Sequence, residues 1–274
     1  MTDPQSRFLD GTPRLHYLEW NPGGRDTLVL LHGNSANAWW WQPFADAIEN
    51  PHLRLIAIDQ RGHGDSEWMR PAAYAPADYA ADLARFITTA RLARPIVAGH
   101  SMGGIATLAF AARFPDLARA AIAIDVAVTS TYRRNRYLAR LKTLPSVAYP
   151  DFATAVARFR LMPDEGDIPA ATLSAIAAHS LTRMPDGRAT MKFDRESFFG
   201  SDGLDVPAAI ERIAIPLMLV RAEHSRIMTA EAAERATASN PRARLTTIPA
   251  VHHHLLLERP DLLARAIADF VISL

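Results

Sequence analysis

The amino-acid sequence predicts an α/β fold: a mostly parallel, eight-stranded twisted sheet with helices on both faces and a helical cap insertion. Short apolar segments alternate with longer segments rich in Ala and Leu, as expected when buried parallel strands are joined by helices. A turn-forming pair near the N-terminus predicts an antiparallel hairpin at one edge of the sheet. The alternation stops in the middle of the chain, where prolines and glycines interrupt the helical patterns.

The elements follow in chain order from these patterns. Segments 7–10 and 14–19 predict the two edge strands, because Asp10-Gly11 is a typical turn pair between them. Six short apolar runs predict the remaining strands: 27–31, 53–58, 95–98, 120–124, 216–220 and 244–248. Five segments rich in Ala and Leu, often with a proline at one edge, predict the connecting helices: 37–49, 77–91, 102–113, 229–239 and 260–272.

The insertion is predicted at residues 129–206, where seven prolines and glycines break the helical pieces: Pro145, Pro150, Pro163, Gly166, Pro169, Pro185 and Gly187. Structureless loops of this length are uncommon in compact domains. We therefore expect a core domain formed by 1–128 and 207–274, and a helical cap over a site formed by 129–206.

Composition narrows the possible functions. The 274 residues suffice for one large core, and 30 basic against 29 acidic residues form no long block of one sign, which disfavours nucleic-acid and membrane partners. The absence of cysteine excludes disulfides, thiolate metal sites and a cysteine nucleophile. Neither a signal peptide nor a membrane span is apparent, so we expect a cytoplasmic protein that binds a small molecule; the sequence indicates no oligomeric state.

Residues 99–104 read G-H-S-M-G-G between a predicted strand and a predicted helix. This G-x-S-x-G pattern holds a serine on a sharp, strained turn with its hydroxyl exposed, while glycines on either side let strand and helix approach. The helix N-terminus offers positive potential to a developing oxyanion. An ordinary glycine-rich turn is the alternative interpretation, but the strand–turn–helix context favours Ser101 as a nucleophile.

The first core strand ends in His32-Gly33-Asn34, at the sheet edge where ligands of α/β proteins collect. Acyl transfer requires two donors aimed at the oxygen of the tetrahedral intermediate. The backbone N–H groups of Asn34 and Met102 are the predicted donors.

Three motifs in this order resemble the α/β-hydrolase superfamily and its serine esterases: H-G-N, D-Q-R-G-H-G-D-S at 59–66, and G-H-S-M-G-G. The resemblance covers nearly the whole chain outside 129–206 and implies hydrolysis that needs no cofactor and no metal. The 59–66 run is expected to shape a loop beside the site rather than to act in catalysis. Relatives that use an aspartate nucleophile, the dehalogenases and epoxide hydrolases, fit less well because the elbow carries Ser101.

A general base with a pKa near neutrality is expected after the last strand, where three histidines adjoin. In the relatives that the chain resembles, the catalytic histidine precedes the acidic residue of a final L-E-x-P-like run by five positions, which gives His253 when counted from Glu258. His252, His254 and, beside the nucleophile, His100 remain alternatives. A metal tract is disfavoured, because adjacent side chains point in different directions and no second ligand cluster accompanies them.

The triad acid departs from the usual pattern. Most superfamily members carry the triad acid after the strand that corresponds to 216–220, three residues beyond a glycine. If Ala222 takes the place of that glycine, the usual position of the acid is residue 225. This chain has Ser225 there, which is not a carboxylate. Asp125 closes the strand 120–124 at the same sheet edge, and some members carry the acid there. We predict Asp125 as the acid, with Glu223 as the alternative.

These residues predict a carboxylic ester hydrolase with a Ser-His-Asp triad, an acyl-enzyme intermediate and an ester-like small-molecule substrate. Cleavage of C–C bonds, lactones or amides and perhydrolysis are alternatives on the same scaffold, and a non-catalytic binding protein is a further one. One tryptophan of Trp39-Trp40-Trp41 is expected to line an acyl pocket.

Overall fold

The computed structural model of the chain describes residues 3–129, 132–198 and 203–274. Its strands are β1 (Gln5–Leu9), β2 (Leu15–Trp20), β3 (Asp26–Leu31), β4 (Leu53–Ile58), β5 (Ile96–His100), β6 (Ala120–Ile124), β7 (Ala148–Tyr149), β8 (Leu181–Arg183), β9 (Ala189–Met191), β10 (Leu217–Ala222) and β11 (Ala243–Ile248). Its α-helices are α1 (Gln42–Ala47), α2 (Pro76–Thr89), α3 (Met102–Arg113), α4 (Tyr132–Thr143), α5 (Phe152–Ala157), α6 (Ala170–Ser180), α7 (Val206–Arg212), α8 (Ala230–Ala238), α9 (Leu255–Glu258) and α10 (Pro260–Ile272).

The main sheet has eight strands in the order β1-β2-β4-β3-β5-β6-β10-β11. β1 pairs antiparallel with β2, and β2 pairs antiparallel with β4, whereas all other neighbours are parallel. The predicted fold class and its edge hairpin are therefore confirmed. The parallel strands bring their carboxyl ends to one edge, where the loops that carry the candidate site residues meet.

Two apolar layers cover the two faces of this sheet. Along β3, Leu28 and Leu30 enter one layer while Val29 and Leu31 enter the other, because successive side chains of a strand point to opposite faces. The first layer includes residues of α1, α9 and α10, and the second includes residues of α2, α3, α7 and α8. Helices thus protect both faces, which explains why the strands read as continuous apolar runs.

The predicted insertion contains α4, α5 and α6, and also a three-stranded antiparallel sheet in the order β7-β9-β8. The sequence did not indicate these strands, because runs of two or three residues are too short to show a period. Asn37 Nδ2 donates to Ser180 Oγ over 3.0 Å and joins this segment to the core. The boundaries at 129 and 206 stay a prediction, and residues 130–131 and 199–202 lie outside the described residues.

Within the described residues, no helix combines the length and the apolarity that a membrane crossing requires. The cytoplasmic location stays a prediction from the sequence.

Candidate active site

Ser101 lies on a sharp turn between β5 and α3. Its backbone has φ +52° and ψ −115°, a strained conformation for a residue with a side chain. A Cβ atom on Gly99 would overlap the carbonyl of Gly103, and one on Gly103 would lie 2.5 Å from the carbonyl oxygen of Leu31. The glycines of the motif are therefore a steric requirement of the turn that presents the Ser101 hydroxyl.

Ser101, His253 and Asp125 form one continuous hydrogen-bonded chain. Ser101 Oγ lies 3.0 Å from His253 Nε2, and His253 Nδ1 lies 2.7 Å from Asp125 Oδ2. The histidine is 3% exposed and the aspartate 0%. The structure brings these three predicted residues together across sequence separations of 152 and 128 positions.

Asp125 follows β6 in a left-handed conformation with φ +44°. Its Oδ1 accepts the backbone N–H of Ala222 over 3.0 Å, and its Oδ2 also accepts the hydroxyl of Ser225 over 2.7 Å. Burial raises the pKa of the Asp125 carboxyl, and these two hydrogen bonds oppose that effect. The donors favour a carboxylate that only accepts, so the proton of the neutral imidazole lies on Nδ1 and the Nε2 lone pair faces the serine.

Glu223, the alternative acid, has a different partner. Its Oε2 accepts the backbone N–H of Ala250 over 2.7 Å, and the residue is exposed. Among the hydrogen bonds of the described residues, none joins the Glu223 carboxylate to His253. Glu223 supports the turn ahead of His253 rather than the ring of His253.

Burial lowers the pKa of His253 to about 4, so the imidazole is neutral at neutral pH, as a general base requires.

The competing histidines have other partners. His252 Nδ1 lies 3.2 Å from a carboxylate oxygen of Glu258, and His254 Nε2 donates to a backbone carbonyl over 2.9 Å. His100 Nε2 donates to the carbonyl of His253 over 2.8 Å and so supports its backbone.

The two predicted oxyanion donors, Asn34 and Met102, line the same cavity as Ser101. Met102 is the first residue of α3, where backbone N–H groups have no partner within the helix, and Asn34 follows β3. Within the described part of the chain, neither backbone N–H donates to another residue. The role of these two residues as oxyanion donors stays a prediction.

A cavity of about 230 Å³ opens on Ser101, and its walls are mainly apolar side chains of the core and the cap. The lining residues are Asn34, Ser35, Ser101, Met102, Ile105, Ala127, Tyr137, Leu138, Met162, Pro163, Phe198, Ile227 and His253.

The expectation that one tryptophan of 39–41 lines the pocket is wrong. Trp40 and Trp41 are buried in the core, and Trp39 stacks on His179 of α6 with ring centres 3.8 Å apart.

The 59–66 run acts as a loop scaffold in the structure. Asp59 accepts the backbone N–H groups of Ala38 (2.6 Å) and Asp65 (2.8 Å), and it pairs with His16 at 2.7 Å. Potential metal-ligand atoms of His16, Asp59 and Asp65 lie within 4.8 Å of one another. The hydrogen bonds described above, however, already satisfy the carboxylate of Asp59. The hydrogen bonds that hold the loop in place therefore account for the residues of the 59–66 motif, and no catalytic role is needed to explain them.

The sequence alone does not predict the contacts between the segment 132–198 and the loops that carry the candidate site residues. Pro163 supplies the carbonyl that accepts from His254, and Glu165 Oε1 accepts the backbone N–H of His253 over 3.3 Å. Asn34 Nδ2 donates to the carbonyl of Ser197 over 3.2 Å. No local pattern signals such pairs, because the partners are separated by 88 to 163 positions.

The fold and the site define a class of protein, an α/β hydrolase with a serine at its nucleophile elbow. The sequence matches the model of the alpha/beta hydrolase family over residues 28–266. The chain therefore belongs to this family.

The chain is similar to proteins that are named for different substrates or reactions. A 2-(acetamidomethylene)succinate hydrolase of Mesorhizobium japonicum is 26% identical over 253 residues, which cover 91% of this chain and 89% of the relative. A crystal structure of E-2-(acetamidomethylene)succinate hydrolase superposes with a TM-score of 0.82 at 26% identity, covering 98% and 99% of the two chains. An esterase of Mycobacterium tuberculosis is 25% identical over 229 residues, which cover 80% of this chain and 74% of the relative.

Proposed function

We propose that this α/β hydrolase is a serine esterase that cleaves carboxylic esters through an acyl-enzyme intermediate. The observation that carries the proposal is the hydrogen-bonded chain Ser101–His253–Asp125, with distances of 3.0 and 2.7 Å. Ser101 and His253 line an apolar cavity. A neutral, buried imidazole that links a hydroxyl to a carboxylate is the arrangement that activates a serine.

Each step follows from this geometry. His253 accepts the Ser101 proton as Oγ attacks the ester carbonyl, and the N–H groups of Asn34 and Met102 stabilise the resulting oxyanion. The C–O bond to the alcohol then breaks, and the alcohol leaves with the proton from His253. Water attacks the acyl-enzyme, again through His253, and Ser101 is released with its proton. Asp125 stabilises the imidazolium that forms in both halves of the reaction.

The cavity favours an uncharged, apolar acyl group. Among the described lining residues, none carries a formal charge at neutral pH, since burial keeps His253 neutral. A carboxylate placed among Ile105, Leu138 and Phe198 would lose its hydration without gaining a described cationic partner. This separates the proposed substrate from that of the relative named for a succinate, which is a dicarboxylate.

A panel of p-nitrophenyl esters tests the substrate class. We expect kcat/KM for the butyrate ester to exceed that for the succinate half-ester by at least about tenfold, because the unpaired charge is costly to bury. A preference for the half-ester would contradict the proposal. Amides and lactones belong in the same panel, because relatives include proteins named as carbamate hydrolases.

Replacement of the nucleophile tests the reaction class. Ser101→Ala should abolish hydrolysis of p-nitrophenyl butyrate and covalent labelling by a fluorophosphonate, because the attacking hydroxyl is gone. Ser174→Ala is the matched control, since Ser174 is exposed on α6 and is not among the residues that line the cavity. Undiminished hydrolysis by Ser101→Ala would refute the assignment.

A further inference from the structure

Ser225 contacts the triad, and the proposed function assigns no role to it. It lies in the loop after β10, at the position where the resemblance to the superfamily places the acid. Its hydroxyl is 2.7 Å from Asp125 Oδ2, the same oxygen that His253 contacts. The backbone N–H groups of Ile227 and Met228 donate to the Ser225 Oγ atom over 3.0 and 2.9 Å.

These three partners fix the direction of the Ser225 hydroxyl proton. A hydroxyl has one proton and two lone pairs, and backbone N–H groups can only donate. Because Ile227 and Met228 occupy the lone pairs, the single proton is directed at Asp125. The two donors also polarise the O–H bond, which makes Ser225 a stronger donor to the carboxylate.

The loop that carries Ser225 is braced at both ends. Arg221 Nε donates to the carbonyl of Met228 over 2.9 Å, and its Nη2 donates to the carbonyl of Glu223 over 2.7 Å. The Glu223 carboxylate accepts the N–H of Ala250, three residues before the catalytic histidine. These hydrogen bonds therefore hold the Ser225 hydroxyl at a fixed position relative to Asp125 and His253.

We propose that Ser225 is a positioning residue of the triad: its hydroxyl holds Asp125 Oδ2 as an acceptor aimed at Nδ1 of His253. The inference rests on the proposed serine-hydrolase function and extends it. A hydroxyl thus supports the acid from the loop in which most of the superfamily carries the acid itself. Among the described residues, the titratable or charged groups that act on Asp125 are His253, His100, His254 and Arg221, and burial keeps the pKa of all three histidines low.

Ser225→Ala and Ser225→Thr provide the test. Loss of a hydrogen bond to a charged group should lower kcat for p-nitrophenyl butyrate by about 10- to 100-fold with little change in KM. Without the donor, the Asp125 carboxyl is protonated more easily, so the acidic limb of the kcat/KM profile should move to higher pH. Ser225→Thr retains the hydroxyl and should restore most of kcat and the original profile.

A double-substitution cycle separates positioning from general support of the fold. In an Asp125→Asn background, Ser225→Ala should reduce kcat little further, because the partner of the hydroxyl is already impaired. Full additivity, or a Thr variant as impaired as Ala, would overturn the role of Ser225. Ser101→Ala is measured in parallel: activity in that variant refutes the esterase mechanism, whereas an inactive Ser101→Ala with a wild-type-like Ser225→Ala refutes only this inference.

Discussion

Asp125 and Glu223 follow neighbouring strands, but their partners differ. Asp125 is fully buried and contacts His253 and Ser225, whereas Glu223 is exposed and accepts the N–H of Ala250. A carboxylate orients an imidazole and stabilises its cation, and an amide in its place favours the wrong tautomer. The two carboxylates therefore differ in their hydrogen-bond partners: that of Asp125 contacts the His253 ring, and that of Glu223 contacts the backbone of Ala250.

Matched carboxylate-to-amide substitutions test that choice. Asp125→Asn should lower kcat for p-nitrophenyl butyrate by about 10³- to 10⁴-fold, the magnitude typical of a triad acid. Glu223→Gln should change kcat by less than about threefold, because its oxygen can still accept from Ala250. A large loss in Glu223→Gln alone would reverse the assignment.

The pH dependence of the reaction should report the environment of His253. Its pKa is lowered to about 4 by burial, and only the neutral ring accepts the Ser101 proton. The kcat/KM of the wild-type enzyme should therefore stay constant on acidification through the ordinary histidine range near 6.5 and fall only as the pH approaches about 4. Far-UV circular dichroism of the same samples at each pH separates this titration from acid unfolding. A half-maximal rate near pH 6.5 would contradict the prediction.

At the level of elements, the turn from β5 to α3 depends on the absence of a side chain at Gly99. A Cβ atom there would overlap the backbone of Gly103, which cannot move aside as a flexible side chain can. Gly99→Ala should lower the free energy of unfolding by about 1–3 kcal/mol, the usual cost of overpacking, as measured by urea denaturation. Gly23→Ala is the control, because its Cβ would meet nothing within 4 Å. Equal stability of the two variants would contradict the steric argument.

How much of this arrangement the sequence predicts depends on the range of the interactions. The segments 53–58, 102–113, 120–124 and 260–272 match their observed elements because local apolar patterns determine them. The short cap strands and the partners of Glu165 depend on contacts between distant segments, which no local pattern encodes. Asp125 is an intermediate case. The sequence shows that position 225 has no carboxylate, whereas the hydrogen bond from the Ser225 hydroxyl to Asp125 is visible only in three dimensions.

For the whole molecule, the important feature is the number of histidines buried in the neutral form. Burial lowers the pKa of His63 and His254 to about 3 and that of His253 to about 4, and it also lowers the pKa of His32 and His100. They lie near the carboxyl edge of the sheet and at the contact with the cap. These five rings therefore resist protonation as long as the fold is intact.

This arrangement predicts a loss of stability in mild acid. An unfolded histidine binds a proton near pH 6.5, whereas folded His63, His253 and His254 stay neutral down to about pH 3 to 4. Between these limits the unfolded state binds more protons, so the free energy of unfolding falls as the pH falls, by about 1.4 kcal/mol per pH unit for each such histidine. Urea denaturation at pH 7.5, 6 and 5 measures the slope at pH values above the ordinary pKa of the carboxylates. His63→Asn should reduce the slope by the contribution of one group, and equal slopes for the wild type and His63→Asn would show that burial does not hold the His63 ring neutral.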